Sequence, residues 1–332
     1  MIVTFPKTGG ILVAISSRTL MTVALLFGLS NLYFGRCAAD EIPQRDANKF
    51  AVVGYLPDYR MSVFEPATAE GVTDLVFFSV EPTSSGDLDT RSLSKKNLAL
   101  LKSVKEKNNC RIHLGVGGGG RSNHFAAMSS QKQSRQRFVN SLEKLCQRHG
   151  FDGADLDWEF PDTKAEKASF VALLRDLREK FRPHGMLLSI AAAGLQDLPS
   201  EAVEAVDRIH LMAYDAAGRH ATFADAQKFV QRLIDRKVPP KKICLGLPLY
   251  GRGIKRRNIA LGYAQIVERH HPGANIDEVA GIYFNGVRTI EKKTAFAQQA
   301  KLGGVMFWEI TLDTRDETSL IRAVLRTMQP KK

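Results

Sequence analysis

The most constraining feature of the chain is a run of acids at residues 151–161: Asp152, Asp155, Asp157 and Glu159, with Leu156 and Trp158 between the last three. Alternation with period two belongs to a β-strand, whose successive side chains point to opposite faces. On such a strand Asp155, Asp157 and Glu159 share one face, and Leu156 and Trp158 share the other. Like charges a few ångströms apart cannot all stay ionised, so protons are shared and pKa values are pushed apart. A row of this kind points to a chemical use.

The rest of the chain supplies a frame for that strand. Apolar strand segments are expected at 50–55, 73–80, 111–116, 187–192, 208–214, 243–249 and 305–310, with the acidic strand fourth in order. Amphipathic helices are expected near 94–107, 134–148, 165–181 and 223–236, and a closing helix passes through Ile321, Val324 and Leu325. Residues 252–302 are read as a short helix, a small strand at 282–284 and a helix ending near Gly303. Eight strands alternating with helices predict parallel βα units. The fold class is therefore α/β, a closed (β/α)8 barrel with its site where strands end and loops begin. Polar residues collect at those ends: Tyr55, Glu81, the 117–120 glycine loop, Glu159, Tyr214, Asp215, Arg252, Trp308 and Glu309.

The N-terminus is set apart by composition. Lys7 and Arg18 precede an apolar run from Leu20 to Leu29, and Cys37, Ala38 and Ala39 stand before Asp40. This is the pattern of a signal peptide over 1–39, with an uncleaved anchor as the other reading. Residues 40–49 are a polar lead-in and 50–330 the barrel. The expected localisation is outside the cytoplasm: secreted, periplasmic or at the cell surface. The net charge is +12, but the basic runs at Lys241-Lys242 and Lys255-Arg256-Arg257 carry no interleaved aromatics, so nucleic acid is not an expected partner. Cys110 and Cys146 are candidates for one disulfide, Cys244 reads as a core residue, and no Cys/His spacing suggests a metal site. The histidines, including His270-His271, have no paired spacing and are assigned to the surface.

At Asp152-Gly153-Ala154-Asp155-Leu156-Asp157-Trp158-Glu159 the sequence resembles glycoside hydrolase family 18, the chitinase-type barrels, whose hallmark is DxxDxDxE on strand four. Met212-Ala213-Tyr214-Asp215 is similar to the family's strand-six motif, and Gly303-Gly304-Val305-Met306-Phe307-Trp308 to its strand eight. The resemblance implies that Glu159 is the general acid and later the base. It implies that Asp157 orients the acetamido group of the substrate and shares a proton with Asp155, while Asp152 supports the network from the start of the strand. It places Tyr214 on the acetamido carbonyl, Trp308 under the sugar, and Tyr55, Asp215, Gly118 and Arg252 in the substrate pocket.

The implied reaction is retaining hydrolysis of β-1,4 links next to N-acetylglucosamine, in chitin or its oligomers. The substrate's own N-acetyl oxygen acts as nucleophile, so one acid and one orienting carboxylate suffice. Repulsion from Asp155 and Asp157 is expected to keep Glu159 protonated. Neither cofactor, metal nor obligate protein partner is implied; the partner is an N-acetylglucosamine-containing glycan. The rivals are an enzyme acting on peptidoglycan or the N-glycan core, and a non-catalytic sugar-binding barrel. The sequence departs from the family pattern at strand three, where Gly115-Val116-Gly117-Gly118 replaces SxGG and Gly119 replaces a frequent aromatic. Trp158 and Trp308 are its two tryptophans, and Trp158 is expected to face the helices. With few aromatic platforms and a short segment before strand eight, a shallow, open cleft is expected.

Overall fold

The computed structural model describes residues 49–329. The signal peptide assigned to 1–39 and nearly all of the 40–49 lead-in lie outside the described residues. Eight parallel strands form the barrel: β1 (Ala51–Pro57), β2 (Asp74–Pro82), β3 (Arg111–Gly117), β4 (Gly153–Asp157), β5 (Leu187–Ala193), β6 (Arg208–Met212), β7 (Ile243–Pro248) and β8 (Gly304–Trp308). Each pairs with its neighbours in order, and β1 pairs with both β2 and β8, which closes the ring. Closure leaves no barrel edge to pair with another chain.

The strands are apolar on nearly every position because both faces are covered. Their outward side chains, such as Leu75, Leu114, Leu156, Ile190 and Leu245, pack under the helices in one continuous core. The barrel interior holds a smaller cluster of Ala51, Val53, Tyr55, Val76, Phe78, Cys244 and Met306. The helices are α1 (Lys95–Asn108), α2 (Phe125–Ser130), α3 (Lys132–His149), α4 (Lys164–Phe181), α5 (Ser200–Ala205), α6 (Phe223–Asp235), α7 (Tyr263–His270), α8 (Val287–Gln299) and α9 (Leu320–Met328). The helix that follows the acidic strand starts sharply. Thr163 Oγ1 accepts from Glu166 N at 3.1 Å and Glu166 Oε2 accepts from Thr163 N at 2.9 Å, a reciprocal cap that fixes where the loop carrying Glu159 ends.

Three expectations are corrected. The segment before β8 builds more than one small strand. Tyr250–Gly253, Ala260–Gly262, Glu278–Val279 and Ile282–Tyr283 make a four-stranded antiparallel sheet with α7 beside it. Strands of two to four residues are too short to display a period, so the sequence hides them. No disulfide joins Cys110 to Cys146: the Cys110 thiol donates to Val104 O and the Cys146 thiol to Gly153 O. Burial pushes the Cys146 and Cys244 thiols up to about 12, as befits core residues. His270 and His271 are exposed, but His113, His210 and His220 are buried. Each of these three lies beside an aspartate, a partner in three dimensions that chain spacing does not reveal.

Candidate active site

The acidic strand alternates as its sequence dictates. Gly153, Asp155 and Asp157 point into the barrel, and Trp158 packs outward, stacked on Phe125 at 5.3 Å and edge-on to Phe170 at 5.7 Å. Regular pairing ends at Asp157, so Glu159 sits on the loop just past the strand. Its backbone N–H donates to Ser122 Oγ at 3.0 Å, which ties that loop to the one after β3.

Asp155 is fully buried and fully partnered. Tyr55 donates its hydroxyl to Asp155 Oδ2 at 2.5 Å, Ser189 donates to Oδ1 at 2.6 Å, and His210 Nδ1 lies 3.0 Å from Oδ1. Burial pushes this carboxyl up, but His210, Ser189 and Tyr55 outweigh it and hold Asp155 below the ordinary value. Asp157 has the opposite fate. Burial, then Glu159 and Asp155, push it well above the carboxylate range, and its Oδ1 has no hydrogen-bond partner among the described residues. The charge of the pair thus rests on Asp155 and its proton on Asp157.

Glu159 is also raised, first by burial and then by the charge of Asp215, against a lowering bond from the Gly119 N–H. The expected repulsion between Asp157 and Glu159 is present and raises Asp157, and Asp215, delivered from a different strand, adds a charge that raises Glu159. Asp215 follows β6 in the left-handed region at φ 62°. Burial raises its carboxyl, but His220, Arg252 and Tyr250 together hold it far below the usual range. Tyr250 donates to Asp215 Oδ1 at 2.8 Å, Arg252 Nη2 donates to Oδ2 at 2.9 Å, and Arg252 Nε donates to Oδ1.

These groups open onto one cavity of about 890 Å³ at the C-terminal end of the barrel, lined by Tyr55, Asp157, Glu159, Tyr214, Asp215, Arg252 and Trp308 among others. Tyr214 turns its ring edge-on to Tyr250 at 6.2 Å, and its hydroxyl reaches Met306 Sδ at 3.8 Å. Trp308 meets Phe78 edge-on at 4.8 Å and Tyr55 at 5.6 Å, so three rings floor the cavity. Gly118 belongs to that floor through its lack of a side chain. At φ 105°, a Cβ there would fall 2.0 Å from Phe78 Cζ and 3.3 Å from Asp157 Oδ2.

Nine of the ten predicted site residues thus gather at one end of the barrel. Asp152 does not. It has the outward parity of Leu156 and Trp158, and its carboxylate accepts from Ile112 N at 2.8 Å and pairs with Lys105 at 2.7 Å. It pins β3, β4 and α1 and has no contact with the acid network. Sequence reasoning missed His210, Ser189, Phe78 and Tyr250. Only Tyr250, a phenol just past an apolar strand, carried a local cue. The antiparallel sheet also supplies Ala260, Leu261 and Gly262 to the lining, and α7 beside it supplies Gln265, so the cleft has a wall that the short-segment reading left out.

A closed parallel barrel whose C-terminal mouth carries stacked carboxylates and a tryptophan floor defines the class as a (β/α)8 barrel with a glycosidase-type site. The Glycosyl hydrolases family 18 profile matches residues 51–313, and the chain belongs to that family. It is 30% identical over 284 residues to chitinase 1 of Aphanocladium album, covering 68% of this chain and 67% of the relative. It is 26% identical over 271 residues to a probable chitinase 2 of Drosophila melanogaster, covering 61% of this chain and 56% of that protein. The crystal structure of the family 18 chitinase ChiB from Flavobacterium johnsoniae matches with a TM-score of 0.74 at 26% identity, covering 84% of this chain and 94% of that one. The chain therefore spans between about half and two thirds of these curated relatives.

Proposed function

We propose that the protein is a retaining glycosidase that cleaves β-1,4 links next to N-acetylglucosamine in chitin or chito-oligosaccharides, with the substrate's acetamido group as nucleophile. The observation that carries this reading is the division of labour along β4. The Asp155 carboxyl is held low by its partners, Asp157 is raised with one oxygen unpartnered among the described residues, and Glu159 is raised at the lip of the same cavity.

Glu159 gives its proton to the leaving glycosidic oxygen as the acetamido oxygen bonds to the anomeric carbon. The unpartnered Asp157 Oδ1 accepts the amide N–H, and Tyr214 donates to the acetamido oxygen. Trp308 covers the apolar face of the sugar. The Glu159 carboxylate then takes a proton from water, whose oxygen attacks the same carbon and opens the ring intermediate. Two inversions leave the configuration unchanged. The relatives named as chitinases support chitin as the substrate.

The test is proton NMR of a chitin hexasaccharide digest, following the anomeric signals of fresh product, with Glu159→Gln in parallel. Fresh β-anomer from the wild type, and turnover about 10²- to 10⁴-fold lower in the variant with binding retained, is the expected result. Binding without cleavage by the wild type would instead make the barrel a sugar-binding protein. Removal of residues 1–39 on export is part of this proposal, supported by their basic-then-apolar pattern. N-terminal sequencing of the protein from its host checks it, and an intact Met1 would overturn it.

A further inference from the structure

Beneath the acids, the barrel interior continues as a column of polar groups. At its base Asp74 is 1% exposed and collects Arg111 Nε at 2.6 Å, His113 Nε2 at 2.9 Å and Arg208 Nη1 at 3.0 Å. Midway stands His210, between this cluster and Asp155. Three side-chain nitrogens of the column are buried without a hydrogen-bond partner among the described residues: His113 Nδ1, Arg208 Nη2 and His210 Nε2. Each belongs to a residue more than nine-tenths buried. A buried polar atom left unpaired has lost its hydrogen bonds to water without replacement, so three in one place call for a common partner. All three residues line a single small cavity of about 10 Å³. That is room for one water molecule and nothing larger.

The donor and acceptor count settles the chemistry. Arg208 Nη2 can only donate. Asp74 is a carboxylate ringed by two arginines, so His113 Nε2 carries the proton facing it and, in the neutral ring, His113 Nδ1 is an acceptor. Tyr55 spends its hydroxyl proton on Asp155 Oδ2, so His210 Nδ1–H faces the Tyr55 hydroxyl oxygen at 2.8 Å and Asp155 Oδ1 at 3.0 Å, and in the neutral ring His210 Nε2 is an acceptor. One donor and two acceptors match one water, which has two protons to give and lone pairs to receive.

We propose that one buried water molecule is bound between these residues, accepting from Arg208 Nη2 and donating to His113 Nδ1 and His210 Nε2. The site closes a continuous hydrogen-bonded chain from Asp74 through His113, the water and His210 to Asp155. It fixes both tautomers and makes His210 a positioning residue: it touches no substrate, but it presents Nδ1–H to the carboxylate that must stay charged beside Asp157. The site is independent of the proposed reaction and stands or falls without it.

Two measurements on the full chain test it. A crystal structure that shows ordered solvent, with a second crystal soaked in bromide, reads the occupant. Expected is a peak within about 2.6–3.2 Å of all three nitrogens and no anomalous signal after the soak. A bromide peak would mean an anion held by three donors, and no peak would mean a dry cavity; either overturns the proposal. Two-bond ¹H–¹⁵N spectra of histidine-labelled protein at neutral pH read the tautomers, with His113→Phe and His210→Phe used for assignment. Neutral His113 protonated at Nε2 and neutral His210 protonated at Nδ1 are expected. A doubly protonated ring at either position removes an acceptor and sinks the water.

Discussion

The Tyr55 hydroxyl lies 2.5 Å from Asp155 Oδ2, joining the end of β1 to the middle of β4 across the barrel. The two residues are a hundred positions apart, and their contact joins those of His210 and Ser189 in holding the Asp155 carboxyl low while Asp157 is raised. Burial alone would raise both. Asp155 is lowered because Tyr55, Ser189 and His210 all serve its anion, and Asp157 is raised because nothing comparable serves it.

Tyr55→Phe removes one of those bonds while keeping the ring in the floor. A hydrogen bond to a buried charge is worth about 1.5–3 kcal/mol, which corresponds to about a 10- to 100-fold effect if it is expressed in turnover. The expected outcome on a chito-oligosaccharide is that loss in kcat with KM little changed. A fall in KM-dependent binding with kcat intact would place Tyr55 in substrate binding instead.

In the proposed reaction Glu159 must be protonated to act as the acid, so its raised pKa is expected to set the alkaline limb of the pH–rate profile. Rising pH through that value removes the proton and the activity with it. After burial, Asp215 is the main cause of the rise. Asp215→Asn should therefore move the alkaline limb to lower pH, as read from kcat/KM across pH. An unmoved limb would show that burial alone poises Glu159.

Gly118→Ala tests the floor. The added methyl meets Phe78 at an impossible 2.0 Å, and φ 105° is strained for any residue with a Cβ. Phe78 cannot yield freely because Trp308 stands edge-on against it. A loss of about 1–3 kcal/mol of stability in denaturant unfolding is expected, together with weaker oligosaccharide binding. Wild-type affinity in the folded variant would mean that the rings can shift without consequence for the sugar.

Lys293 on α8 is fully buried, donating to Ala221 O at 2.9 Å and Asn285 Oδ1 at 2.7 Å. Burial outweighs the attraction of Asp277 and Asp225 and lowers its pKa from 10.5 to about 7. Between those values the unfolded chain holds a proton that the folded chain has released. Stability should therefore rise with pH from about 7 toward 10.5, and the rise should flatten in Lys293→Met. Equilibrium unfolding across that window checks it; the same slope in both proteins would assign the pH dependence to other groups.

The sequence by itself determined the barrel and the acidic row. Eight apolar segments separated by amphipathic helices admit few other closed arrangements, and period-two alternation dictates that Asp155 and Asp157 share a face while Trp158 leaves it. Those are local facts, carried by residues near one another in the chain. The tertiary structure alone decided how the acids differ. His210, Ser189 and Tyr55 reach Asp155 from three other strands, and Asp215, just past the strand that carries His210, charges the surroundings of Glu159. A pKa is set by whatever lies within a few ångströms, and chain order does not encode that neighbourhood. The same reason explains both the buried histidines and the fate of Asp152. Its spacing from Asp155 is three, an odd number, and on a strand that turns it away from the chemistry and toward Lys105.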